Sequence, residues 1–157
     1  FELELEELIH DPSSTLRPAD ISELEELIVM DRAMVHEELG FDPFARDLES
    51  YRRGWKRRVR EGGCWVATEE GRLVFKVDHS AVSQQVVQLA GVYTVPSHRR
   101  RGVARHALSC MVRLLCTRGQ LVSLYVDRGN TPAIALYADL GFTASDSVTS
   151  IWFSATS

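Results

Sequence analysis

Between Val95 and Arg105 the chain reads Val-Pro-Ser-His-Arg-Arg-Arg-Gly-Val-Ala-Arg, joining a strand pattern to a helix pattern. The expected helix opens at Gly102. A helix start offers unpaired N–H groups and the positive end of the helix dipole to an anion. Gly102 lets backbone and ligand approach closely, and Arg99, Arg100 and Arg101 add positive charge beside it. A ligand with a pyrophosphate suits this corner. The plainer alternative is a solvated basic turn. Neither Gly-x-x-x-x-Gly-Lys-Ser/Thr nor Gly-x-Gly-x-x-Gly after a strand occurs, which excludes the common nucleotide loops.

Other residues could carry chemistry, each with a structural alternative. Asn130 stands where it could simply cap a helix. Tyr137 could be an amphipathic core tyrosine. His98 and His106 lie near the basic turn, where lone surface histidines are ordinarily inert. Glu37, Glu38, Asp78 and His79 are candidate bases or substrate contacts, and nothing in their spacing selects one.

The elements that must position these residues follow from periodicity and punctuation. Leu16-Arg17-Pro18 ends a short strand, and Asp20 with Glu23 resembles a capping box opening a helix. Leu24, Leu27, Ile28 and Val35 keep helical spacing up to the stop at Gly40. A second helix from about Asp47 places Leu48, Tyr51, Trp55 and Val59 on one face. Its other face is basic, with Arg52, Arg53, Lys56, Arg57, Arg58 and Arg60, and reads as solvated. Gly62-Gly63 closes it.

Cys64–Thr68 and Leu73–Val77 read as strands joined by a hairpin turn at Glu69-Glu70-Gly71-Arg72. Gln85–Val95 is a longer strand with a bulge expected at Ala90-Gly91, ended by Pro96. A helix follows from Gly102 to Arg118, with Val103, Ala107, Leu108, Met111 and Leu115 as its apolar stripe. Leu121–Val126 is a short buried strand. Asn130 or Thr131 caps a last helix with Pro132 in its first turn, and a hairpin of Phe142–Ser145 and Val148–Phe153 closes the chain. The order is β-α-α-β-β-β-α-β-α-β-β. The strand–helix–strand unit from Gln85 to Val126 requires a parallel pair, and the remainder is antiparallel meander. The fold class is therefore α/β (α+β), a mixed and mostly antiparallel sheet flanked by helices.

At 157 residues, 45% hydrophobic and 25% charged, the chain suits one globular domain. Its apolar runs fall short of a membrane span, and no signal peptide is visible. The net charge of −4 argues against a general nucleic-acid binder. Cys64, Cys110 and Cys116 fit neither a disulfide framework nor a zinc pattern, so they read as reduced thiols of a cytoplasmic protein, and no metal site is expected. Phe1–Glu6 alternates like a half-buried strand and His10–Thr15 reads as a linker. Residues 1–14 are thus expected to belong to a longer protein, with the main domain at 15–157.

Arg99-Arg100-Arg101-Gly102-Val103-Ala104 resembles the signature Gln/Arg-x-x-Gly-x-Gly/Ala of the GNAT superfamily of N-acetyltransferases. Some thirty residues on, the segment from Asn130 to Phe142 resembles the second family signature, Asn-x-x-Ala-x-x-x-Tyr…Gly-Phe, through Asn130, Ala133, Tyr137, Gly141 and Phe142. Glu37–Pro43 and Val74-Phe75-Lys76 also resemble a bacterial group in which such a module follows another N-terminal domain.

The resemblance implies acetyl-coenzyme A as cosubstrate, without a metal, lying between splayed parallel strands 4 and 5. It implies backbone contacts to pantetheine from Val92, Tyr93 and Thr94, and a pyrophosphate wrapped by main-chain N–H groups of Arg100, Arg101, Gly102, Val103, Ala104 and Arg105. It implies Asn130 near pantetheine and Tyr137 facing the sulfur as general acid. Some relatives carry a glutamate on the strand before the second motif; Leu124-Tyr125-Val126 has none. The implied activity is acetyl transfer to a primary amine: a protein lysine, an α-amino group or a small molecule. Two alternatives stand beside it, a non-catalytic coenzyme A-binding sensor or partner module and an aminoacyl-transferring relative. Neither nucleic acid nor membrane is an expected partner. A preceding N-terminal domain is, and a homodimer is compatible.

Overall fold

The computed structural model describes residues 16–81, 83–146 and 150–155, with side chains described to residue 144. The strand expected at Phe1–Glu6 and the linker at His10–Thr15 lie outside the described residues. The chain forms two compact units, the first from residues 16–78 and 91–103, the second from the described residues of 79–90 and 104–155.

In the first unit, β1 (Leu16–Pro18) pairs antiparallel with β2 (Cys64–Glu69), and β2 with β3 (Arg72–Ala81), from Cys64↔Asp78 to Glu69↔Arg72 with a shift of register between Ala67 and Thr68. The expected hairpin turn is present: Glu70 and Gly71 both have positive φ, as a two-residue turn between twisted strands requires. The second half of β4 (Val86–Thr94) also belongs to this unit.

Helix α1 (Leu24–Leu39) buries Leu24, Leu27, Ile28 and Met30, the expected three-and-four spacing. A single 3-10 turn, Ile21–Glu23, precedes it in place of the α-helical start expected at Asp20. The cause is local. Glu23 N–H donates to the Asp20 carbonyl at 2.9 Å, while Asp20 N–H donates to the Glu23 carboxylate at 2.8 Å. Arg17 holds that carboxylate below its ordinary pKa.

Helix α2 (Leu48–Arg60) starts where Asp47 Oδ1 accepts the Ser50 N–H at 3.0 Å, and it buries Trp55 and Val59. Leu48 corrects the expected apolar face, being exposed. The apolar partner of Tyr51 is Phe44 instead, stacked at 4.2 Å between ring centroids. The core of this unit joins Leu27, Trp55, Val59, Cys64, Val66, Leu73 and Tyr93. Burying each large side chain contributes about 1.5–3 kcal/mol.

In the second unit the strand order is β4-β5-β7-β6. β4 runs parallel to β5 (Leu121–Asp127), from Val86↔Leu121 to Leu89↔Leu124. β7 (Ser150–Ala155) pairs antiparallel with β5 and with β6 (Thr143–Asp146). The expected mixed sheet with parallel strands 4 and 5 is thereby present. Helix α3 (Val103–Thr117) buries Ala107, Leu108, Met111, Leu114 and Leu115, and α4 (Thr131–Asp139) buries Tyr137. Tyr125 departs from the buried strand expected at Leu121–Val126, since its side chain is exposed.

Candidate active site

The basic turn of the first unit has unusual backbone geometry. Val95 N–H donates to the Val74 carbonyl at 2.9 Å, after which Pro96–His98 makes one 3-10 turn. Arg100 has φ +62° and Gly102 φ +78°, with Arg101 between them outside the positive region. Alternating handedness aims successive N–H groups into one concavity, a nest suited to an anion. α3 begins at Val103, so its first N–H groups follow directly. A Cβ built at Gly102 would meet nothing within 4 Å, so the approach is open.

The side chains of Arg99 and Arg101 are engaged with acids. Arg99 Nη2 donates to both Glu37 oxygens, at 3.1 and 2.9 Å, and its Nε to the Thr94 carbonyl at 2.9 Å. Arg101 reaches Glu69 at 3.4 Å.

Val92, Tyr93 and Thr94 lead into this turn on β4. Alternation along a strand points the Thr94 N–H to the edge opposite the one where Val95 pairs with β3. Tyr93 is buried, and its hydroxyl donates to Glu37 at 3.2 Å. Burial, then the Glu37 charge, raises its pKa. The Arg99 guanidinium lies 5.3 Å from the centroid of the same ring.

Ala104, Arg105, Asn130 and Tyr137 belong to the second unit. Arg105 and Asp139 form an exposed ion pair at 2.8 Å, linking the first turn of α3 to the end of α4. Asn130 does cap α4, its Oδ1 accepting the Ala133 N–H at 3.3 Å. Tyr137 is buried beside Phe142, with ring centroids 6.0 Å apart. Burial pushes its phenol up to about 12. The proton therefore stays on oxygen at neutral pH.

One cluster escaped the sequence reading. Lys76 is fully buried, and its Nζ lies 2.8 Å from the Gly91 carbonyl, 3.2 Å from Asp78 Oδ2 and 3.3 Å from Asp31 Oδ1. Asp31 Oδ2 accepts the Trp55 indole N–H at 3.2 Å and the Tyr51 hydroxyl. Arg58 reaches Asp78 Oδ2 at 3.3 Å and packs over the Trp55 ring. Arg58 makes these contacts while staying exposed, as expected of the basic face of α2. Burial pushes the Asp78 carboxyl above its ordinary range, opposed by Lys76 and Arg58. The sequence signal was a lysine inside Leu73–Val77, where strand alternation leaves no solvent face because both faces are buried.

Among the other candidate bases, Glu38 is exposed and His79 half-buried. No group of three or more His, Cys, Asp or Glu that could hold a metal ion occurs among the described residues. No helix among them is long and apolar enough to cross a membrane.

Comparison with known proteins bears on this geometry. The family described as Acetyltransferase (GNAT) family matches residues 24–142. None of the curated proteins matches significantly. Among solved structures, a ribosomal-protein-alanine N-acetyltransferase from Brucella melitensis is 20% identical with a TM-score of 0.76, covering 90% of this chain and 99% of that one. A putative acetyltransferase from Salmonella typhimurium, solved with its cofactor acetyl-CoA, is 18% identical with a TM-score of 0.75, covering 90% and 92%. A spermidine N-acetyltransferase chimera from Vibrio cholerae and hSSAT is 14% identical with a TM-score of 0.72, covering 89% and 92%. At these identities the structures speak for the fold. The family match spans most of the chain and includes the turn at Arg99–Ala104 and the segment from Asn130 to Phe142, so the chain belongs to the GNAT acetyltransferase family.

Proposed function

We propose that this chain transfers the acetyl group of acetyl-coenzyme A to a primary amine, in a ternary complex and in the cytoplasm. The observation that carries the reading is the backbone nest at Arg100–Gly102 opening directly into α3. In this reading the main-chain N–H groups from Arg100 to Arg105 hold the pyrophosphate. Val92, Tyr93 and Thr94 offer a strand edge to the pantetheine amides. Asn130 contacts pantetheine while capping α4.

The amine nitrogen attacks the thioester carbonyl carbon, and negative charge develops on oxygen. The Thr94 N–H is the candidate donor to it. The carbon–sulfur bond then breaks, the nitrogen releases one proton to water, and the thiolate takes one. Tyr137 is placed in the second motif to supply it. A phenol near 12 is a weak acid toward a thiol of ordinary pKa ~8.5. A thiolate held in the same buried surroundings is itself made more basic, which narrows the gap. Tyr137 therefore first donates a hydrogen bond to the leaving sulfur and, as general acid, passes its proton as the sulfur gains full charge.

A second reading, coenzyme A binding without turnover, draws support from the same residue, because Tyr137 is buried against Phe142 as a packing tyrosine would be. The acceptor is proposed only as a class. Similar folds are named for enzymes acting on a ribosomal-protein alanine and on spermidine, and acceptor loops vary independently of the cofactor grip.

Thermal unfolding with and without acetyl-coenzyme A tests the cofactor assignment. Ligand that binds the folded state raises the melting temperature by linkage. Gly102→Glu introduces a carboxylate at the nest and should abolish most of that rise. Equal stabilisation of parent and variant contradicts the placement.

A further inference from the structure

Lys76 is a buried ammonium with three donors and three acceptors: the Gly91 carbonyl at 2.8 Å, Asp78 at 3.2 Å and Asp31 at 3.3 Å. Taking such ions out of water is costly, and a well-packed apolar residue would often be as stable. What the ion pair supplies, and an apolar residue would not, is a directed bond to one backbone carbonyl. That carbonyl belongs to the residue where β4 departs from extended geometry, with φ +57°.

Bend and cluster are fitted to one another. A Cβ at Gly91 would stand 2.2 Å from Asp78 Oδ2 and 2.8 Å from Lys76 Nζ. The carboxylates are themselves fixed from the two helices of the unit. Asp31 lies on α1 and takes Tyr51 and Trp55 of α2, while Arg58 of α2 holds Asp78. The segment that leaves this anchor is Val92–Thr94, which runs on into the nest at Arg100–Gly102.

We infer that Lys76, held by Asp31 and Asp78 and donating to the Gly91 carbonyl, is a positioning residue that sets the Val92–Thr94 edge for the pantetheine arm of the cofactor. This rests on the acetyl-coenzyme A reading above. The clamp acts on the pantetheine side of the ligand and leaves the pyrophosphate nest alone, and that asymmetry makes it testable. A residue with a merely structural role would weaken both halves of the ligand together.

The experiment compares coenzyme A with 3′-phospho-ADP, which lacks the pantetheine arm, by calorimetric titration of the parent, Lys76→Met and Asp78→Asn. The expected result is unchanged 3′-phospho-ADP affinity and about tenfold weaker coenzyme A binding in the variants, the loss of one or two net hydrogen bonds. Affinities for the two ligands that fall in parallel, or neither of which changes, overturn the clamp while leaving the cofactor reading intact. If the parent binds neither ligand, the cofactor reading falls and the clamp's role falls with it.

Should Lys76→Met fail to fold and Asp78→Asn follow it, nitrogen-15 NMR of the parent decides. Coenzyme A should shift the Lys76 ammonium and the amides of Val92–Thr94. The nucleotide fragment should shift only the amides of Arg100–Val103. An ammonium resonance unmoved by coenzyme A overturns the proposal.

Discussion

Arg99 and Glu37 meet in a two-point ion pair, with Nη2 at 3.1 and 2.9 Å from the two carboxylate oxygens, and so join the end of α1 to the basic turn. The same carboxylate accepts from Tyr93, and Arg99 also donates to the Thr94 carbonyl. Two expected features, a candidate base and a cationic cluster, are thus each other's partners. Both side chains are partly exposed, so the pair itself contributes at most about 1 kcal/mol. Glu37→Gln should lower stability by no more than that in urea unfolding. It should weaken coenzyme A binding a few-fold, through a looser turn, more at low salt than at high salt. A loss of activity by orders of magnitude with unchanged coenzyme A affinity would show that Glu37 serves as the base instead.

Gly91 and Gly40 share positive φ and differ in surroundings. A Cβ at Gly40 would meet nothing within 4 Å, whereas one at Gly91 would strike Asp78 and Lys76. Gly40→Ala should therefore cost about 1 kcal/mol of backbone strain. Gly91→Ala must also break a buried ion pair, and should cost roughly 3 kcal/mol more. Chemical unfolding of the two variants side by side checks the difference. Equal losses would mean that the buried cluster yields without cost.

Tyr137 carries a pH signature. Its folded pKa, about 12, lies above the ordinary tyrosine value of 10.0, because burial penalises the phenolate. The native state thus holds the proton more tightly than the unfolded chain. Its contribution is fully present below pH ~10 and is lost as pH rises from there through about 12. The loss is on the order of 3 kcal/mol. Tyr137→Phe should show a shallower decline of stability over that window. Parallel parent and variant curves would show that Tyr137 is not buried in solution.

The same substitution separates packing from chemistry. Tyr137→Phe keeps the ring against Phe142, so coenzyme A affinity should change little. General-acid roles are typically worth about 10²–10⁴-fold in rate, and the loss should fall on kcat. Single-turnover rates distinguish chemistry from slow product release. Chemistry at the parental rate in the Phe variant would leave Tyr137 a packing residue.

Most of the fold was legible because apolar spacing and glycine stops are local signals. Leu24, Leu27 and Ile28, the helix start near Asp47 and the Glu70-Gly71 turn all behave as their neighbours in sequence dictate. The two motif segments were legible for the same reason, since each lies within a dozen residues. Leu48 misled because helical spacing cannot foresee that Phe44, from the preceding loop, takes the place beside Tyr51. The Lys76 cluster was hidden for a deeper reason. Asp78 stands two residues on along the same strand, but Asp31 and Gly91 come from other elements, and only tertiary packing brings those two to the ammonium. Alternation puts Lys76 on the face opposite Leu73, Phe75 and Val77, and the covering of both sheet faces leaves it no solvent.

Transfer itself is the most direct test of the account. Acetyl-coenzyme A carrying carbon-13 in the acetyl group is incubated with the protein and a panel of α-amino peptides, lysine peptides and polyamines. Thiol release and acceptor mass are followed together. The account predicts amine-dependent thiol release matched one for one by labelled, acetylated acceptor, and abolished in Gly102→Glu. Tight coenzyme A binding with no acceptor-dependent thiol release across the panel would contradict it and leave the domain a binding module.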